Sequence, residues 1–167
     1  MEENNVQIEF WDEEENEEYI KLIKQVVKTC FEVEKLEKTN LYLNVILTNP
    51  ETIRKTNKQY RNIDKETDVL SFPMFEKTEI DKIVEEVNIE GKERNVKDVL
   101  GDIMISVPRV IEQAREYNHS TTREMAYMVV HGFYHVMGYD HIKEEDKIVM
   151  RPKEENILNK LNITRED

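Results

Sequence analysis

The segment TTREMAYMVVHGFYHVMGYDH, residues 121–141, restricts the fold more than any other part of the chain. Thr121 with Glu124 three residues on has the form of a capping box, so a helix is expected to start there. Ala126, Val129, Val130, Phe133 and Met137 recur at helical spacing and form a stripe that must be buried. Gly138, one of only four glycines in the chain, stands where a left-handed C-cap would reverse the backbone.

The remaining segments supply material to cover that stripe. Val6, Ile8 and Phe10 alternate as in a half-buried strand, and the acidic DEEENEE that follows suits the positive end of a helix whose inward positions are Ile20, Ile23, Val27, Phe31 and Leu36. Leu41, Leu43, Val45 and Leu47 alternate with Tyr42, Asn44, Ile46 and Thr48 in a second strand. It ends at Asn49-Pro50, the cap and first turn of a helix reaching about Asn62. TDVLSFP reads as a strand closed by Pro73, and LGDIMISV as another, with Pro108 heading the next helix. Residues 76–98 are polar and highly charged and are expected to form a variable excursion with a helical turn or short strand, not a linker. A last helical pattern holds Ile148, Val149, Ile157, Leu158 and Leu161, with Pro152 expected to break or kink it. Strands and helices mix without strict βαβ alternation. The expected class is therefore α+β, a small mixed sheet packed against helices with a three-histidine metal site at a helix end and following turn, in one domain over residues 1–167.

Composition narrows the setting. A single cysteine, Cys30, excludes an internal disulfide, and neither a signal-like start nor a membrane-length apolar run is present, so a soluble cytoplasmic protein is expected. The formal charge of -12 is uneven: residues 1–18 carry nine acids and no Lys or Arg, leaving 27 acids against 24 bases in the rest. Nonspecific coating of nucleic acid is excluded, but a local phosphate-binding surface is not.

His131 and His135, four apart on one helix face, can aim their imidazoles at one point, and a turn at Gly138 could return His141 to the same ion. Three neutral imidazoles with one open position is the arrangement of catalytic zinc, whereas structural zinc is closed by four ligands, often cysteines, which Cys30 alone cannot supply. The competing reading is a partly buried polar cluster. The spacing H-x3-H-x2-G-x2-H is that of a metzincin protease, yet Gly132 stands where the protease keeps its glutamate base. Peptidase chemistry by that route is disfavoured, while Lewis-acid activation of a phosphoryl group stays open.

Arg54, Lys58 and Arg61 form a basic ridge on the helix before TDVLSFP, with Ile53 and Tyr60 assigned to its packing side. Arg54 and Lys58 read as a solvated face. Arg61, at a helix-to-strand junction, could hold a phosphate bidentately.

Taken together, YRNIDKETDVLSFP, LGDIMIS and HGFYHVMGYDH resemble the YbeY family of bacterial rRNA maturation factors, over about residues 40–161 and in the family's motif order. The resemblance implies one Zn2+ held by His131, His135 and His141, with Arg61 serving activity. It also implies endoribonuclease action on single-stranded RNA in rRNA maturation and ribosome quality control, with an rRNA precursor as substrate and the small ribosomal subunit as a partner. Asp68 and Asp102 match family positions and are expected to buttress the cleft; Asp140, beside a ligand, is a candidate either to brace that ligand or to transfer a proton. Tyr134 and Val136 replace leucines usual in the family, and MRPKEENIL carries Glu154 in place of a glutamine-containing helix. Two other classes compete: a noncatalytic ribosome-assembly factor with a structural zinc, and a metzincin-like metalloprotease.

Overall fold

The computed structural model describes residues 5–140 and 143–163, which form four strands and six helices. Strand β1 (Val6–Phe10) leads to helix α1 (Glu17–Val33), β2 (Leu41–Thr48), α2 (Pro50–Arg61), β3 (Val69–Pro73), α3 (Lys77–Asn88), β4 (Asp98–Ser106), α4 (Val107–Glu116), α5 (Thr121–Val136) and α6 (Glu144–Lys160). The sheet order is β1-β2-β4-β3. Strands β1, β2 and β4 run parallel and β3 runs antiparallel to β4, which makes the sheet mixed and the class α+β, as the sequence suggests.

Each face of the sheet has its own cover. Leu43, Val45, Leu47, Ile103 and Ile105 point into the main core with Val27 and Phe31 of α1 and Val129, Val130 and Phe133 of α5. On the opposite face Ile46, Leu70 and Met104 close against Ile53 of α2. Helix α5 is buried nearly all round because it lies against the sheet and against α1, α4 and α6. Two glycines permit its close approach: a Cβ at Gly132 would stand 2.8 Å from Cγ2 of Ile103, and one at Gly101 would stand 2.6 Å from Cγ1 of Val136.

Local chemistry sets the ends of the elements. Asn16 caps α1 by accepting from the backbone N–H groups of Glu18 and Tyr19, and Asn49 caps α2 by accepting from that of Thr52 at 2.8 Å, with Pro50 in the first turn. Leu36, assigned to α1 by its spacing, lies beyond the helix. Lys35 takes a left-handed φ of 58° and the Leu36 N–H donates to Phe31 O at 2.9 Å, so Leu36 closes the C-terminus and is buried there.

Four further expectations need correction. Residues 76–98 contain a full helix, α3, whose start is held by the Glu79 side chain accepting from the Glu76 N–H at 3.0 Å and whose Ile80 and Val87 are buried. Helix α5 is capped by Ser120, whose Oγ accepts from the Arg123 N–H at 3.0 Å, and the Glu124 side chain turns to His119 instead of completing a box with Thr121. Pro152 does not end the last helix. α6 passes through it, because the carbonyl deprived of its usual donor belongs to Ile148, a residue 72% exposed, where water can satisfy it. Tyr60, assigned to the packing side of α2, is 67% exposed and meets the sheet only through an edge-on contact with the Phe72 ring at 5.9 Å.

Candidate active site

One face of α5 presents Glu124, Tyr127, His131 and His135 in successive turns to a cleft of 1220 Å³. The opposite walls come from Arg61 at the end of α2, from Asp68, Val69 and Ser71 at the start of β3, and from Arg151 and Glu154 of α6. The antiparallel return of β3 along β4 is what carries Arg61 to the histidines, across seventy residues of sequence.

The imidazole rings of His131 and His135 meet edge to face with centroids 4.5 Å apart, and their Nε2 atoms lie 3.1 Å from each other. The other ring nitrogens are committed. Nδ1 of His131 donates to Oε2 of Glu154 at 2.6 Å, and Nδ1 of His135 donates to the carbonyl of Tyr139 at 2.9 Å. The Glu154 oxygen and the Tyr139 carbonyl accept, so each imidazole carries a proton on Nδ1 and turns its Nε2 toward the other ring. Two ring nitrogens at this distance can share a proton, as in a hydrogen bond, or a metal ion. Nitrogens sharing a tetrahedral zinc with bonds of about 2.0–2.1 Å would be about 3.3 Å apart, so the pair fits a zinc ion, with outward hydrogen bonds of the kind that orient ligating histidines. Among the described residues no group of three His, Cys, Asp or Glu side chains suited to an ion occurs, and the expected third ligand, His141, lies outside the described residues.

The turn after α5 shapes this pair. Gly138 adopts φ +99°, a conformation L side chains rarely take, and a Cβ there would come within 2.7 Å of the Lys77 Cβ. That reversal places the Tyr139 carbonyl beside His135. On the far side of His131 the ring of Tyr127 stacks at 5.5 Å. Burial, reinforced by the carboxylates of Glu154, Glu124 and Asp68, pushes the Tyr127 phenol up to about 12, so it stays a neutral hydroxyl at physiological pH.

Arg61 is pinned at the cleft rim. Its Nη2 donates to the Ser71 carbonyl at 2.9 Å and its guanidinium carbon lies 5.5 Å from the centre of the Phe72 ring. One of five donors is used in this way, which leaves the planar fork able to meet a phosphate. Arg54, by contrast, pairs with Asp64 at 2.7 Å on the surface, as a solvated ridge residue should.

The three aspartates divide. Asp68 lines the cleft and buttresses it, accepting from the Val69 N–H at 2.8 Å and from Nε2 of Gln113 at 3.2 Å. Asp102 instead accepts from Nδ2 of Asn44 at 2.9 Å on the neighbouring strand, a sheet contact away from the cleft lining. Asp140 lies in the cleft wall. Cys30 is buried in the core, where desolvation raises its thiol well above the ordinary range, and it takes no part in the cleft.

Three site features escaped the sequence. Glu154 approaches His131 from α6; Tyr127 stacks on the same ring; His119 and Glu124 pair at 3.0 Å in the cleft lining. Glu154 had a signal: Met150, Glu154, Ile157 and Leu158 share one buried helix face, and an acid on an apolar stripe demands a partner. Tyr127 had only its place one turn before His131.

Comparison with known proteins gives a consistent result. The family model described as Endoribonuclease YbeY matches residues 5–162. A protein named Endoribonuclease YbeY from Thermoanaerobacter sp. (strain X514) is 44% identical over 144 residues, covering 86% of this chain and 88% of its own. Its namesake from Desulforamulus reducens is 43% identical over 162 residues, covering 97% of each. The solution structure of TM1509 from Thermotoga maritima superposes with a TM-score of 0.58 at 27% identity, spanning 97% of this chain and 95% of the other.

Proposed function

We propose that this chain, which belongs to the YbeY endoribonuclease family, is a zinc-dependent endoribonuclease that cleaves phosphodiester bonds of single-stranded RNA in rRNA maturation and ribosome quality control. The observation that carries the metal-dependent part is the pair of Nε2 atoms facing each other at 3.1 Å in the same cleft as Arg61. His131, His135 and His141 would hold the ion, which when bound supplies Lewis acidity toward a phosphoryl oxygen or a water.

The chain's own residues then have distinct tasks. Arg61, braced by the Ser71 carbonyl and the Phe72 ring, holds the scissile phosphate and stabilises negative charge as it develops. Glu154 and the Tyr139 carbonyl keep the two imidazoles in one tautomer. Asp68, held by Gln113 and the Val69 N–H, keeps the wall of the cleft in place. Gly132 supplies no carboxylate and faces Ile103, not the cleft, which weighs against a peptidase. The nucleophile is a water or the RNA 2′-hydroxyl, and an rRNA precursor held on the small ribosomal subunit is the substrate context.

Purified protein, its Arg61→Ala and His131→Ala variants and its zinc-stripped form should be assayed on single-stranded RNA with analysis of product ends. Removal of Arg61 should cost on the order of 10²–10³ in rate while leaving the unfolding midpoint in place. Chelation should abolish cleavage and zinc restore it. A 2′,3′-cyclic phosphate end would exclude direct attack by water. Cleavage that stays unchanged in both variants would mark the activity as contamination and favour a noncatalytic assembly factor.

A further inference from the structure

We propose that Glu154 is a positioning residue of the metal centre, an anionic brace that fixes the direction of His131 and strengthens its Nε2 as a donor to a divalent cation. The inference rests on the reading of His131 and His135 as metal ligands.

The two histidines are braced differently. His135 leans on a neutral backbone carbonyl at 2.9 Å, whereas His131 leans on a carboxylate at 2.6 Å, the short separation of a charge-assisted bond. Glu154 is 4% exposed, so its charge has been removed from water, which costs free energy unless a partner compensates. The helix has no need of that charge for docking. Met150, Ile157 and Leu158 are fully buried on the same face, and Lys153 with Glu34 and Arg123 with Glu155 tie α6 to α1 and α5 on either side. An apolar residue of similar volume would pack against those three side chains, so what Glu154 adds at this position is the acceptor it offers to the Nδ1–H of His131.

The carboxylate gives something else. It polarises the His131 Nδ1–H bond, pushes electron density toward Nε2, and offsets part of the positive charge that two imidazoles leave uncompensated around a divalent ion. Tyr127, stacked at 5.5 Å on the same ring, removes the remaining rotational freedom. α6, the element farthest along the chain, thereby sets the quality of a ligand on α5.

The test is zinc affinity of the full chain, read by competition with a chromophoric chelator, for wild type, Glu154→Gln, Glu154→Leu and the exposed control Glu144→Gln. Glutamine keeps an acceptor without the charge and should weaken zinc about 10-fold; leucine removes both and should weaken it about 100-fold. The control should match wild type. Cobalt(II) loaded into the same proteins should show altered visible absorption in the leucine variant, a change that a role confined to packing would not produce. Denaturation of the metal-free proteins should find glutamine close to wild type and leucine less stable, because it leaves the His131 Nδ1–H without an acceptor, and if leucine fails to fold the glutamine variant decides. Zinc binding by both variants within about 2-fold of wild type would overturn the brace. Absence of stoichiometric zinc binding by wild type is a separate outcome, which overturns the metal-ligand reading beneath it.

Discussion

Gly132 directly follows His131, yet the hydrogen in place of its side chain points at Ile103, a core residue of β4. From the sequence it reads as a lost catalytic base; in the fold it is a packing requirement, because α5 must lie close on the sheet for His131 and His135 to face the cleft. A Gly132→Ala substitution gains about 1 kcal/mol of helix propensity. Against that, the new Cβ would stand 2.8 Å from Ile103 Cγ2, closer than real Cβ contacts come, and a β-branched side chain at 0% exposure has little room to turn. Overpacking of about 1–3 kcal/mol should win, so the variant should show a lower denaturation midpoint with an unchanged slope. A midpoint at or above wild type would show that the sheet yields. At this scale the sequence revealed the two imidazoles of His131 and His135 and the spacing that brings them together. Glu154 shows there only as an acid on an apolar stripe, its partner unnamed until α6 meets α5, and Tyr127 only as a residue one turn before His131.

Elements with clean periodicity and caps, such as β2 and α2, are legible because alternation, Asn49-Pro50 and a left-handed Asn62 all agree. α3 is less so. Its Ile80, Ile83, Val84 and Val87 keep helical spacing, but the surrounding charge conceals the stripe, and two of the four are only partly buried. α6 errs in the other direction, since Pro152 looks like a stop and is tolerated. Its cost should still be measurable. Replacing it with alanine restores an N–H donor for the Ile148 carbonyl and removes the ring from the preceding turn, worth up to about 3 kcal/mol, less about 0.4–1 kcal/mol for the greater freedom of the unfolded chain. Pro152→Ala should therefore raise the denaturation midpoint, by about 2 kcal/mol in stability, without weakening zinc binding, because Glu154 stays in register on the same helix. A lower midpoint would mean that α6 bends at Pro152 in a way its docking requires.

At the scale of the whole molecule, the α+β class follows from the order of strand and helix signals, but strand pairing does not: nothing local announces that β3 returns antiparallel to β4 and brings Arg61 to the histidines. Charge is legible as a total and misleading as a guide to binding. The formal charge is -12, and the cleft wall is itself mixed, with Arg61, Arg123 and Arg151 set among Asp68, Glu124, Asp140, Glu154 and Glu155. Arg123 is further committed, 5% exposed and 3.7 Å from Glu155. At most about three phosphates can therefore be neutralised, and each releases about 0.7 of a counterion from a single strand, so the logarithm of RNA affinity should fall with the logarithm of salt at a slope of about -2 or shallower. Binding of a short single-stranded RNA to the zinc-loaded Arg61→Ala protein should lie on a line shallower by about 0.7. A slope of about -4 or steeper would require phosphate contacts that the cleft does not contain and would move RNA recognition onto a separate basic surface.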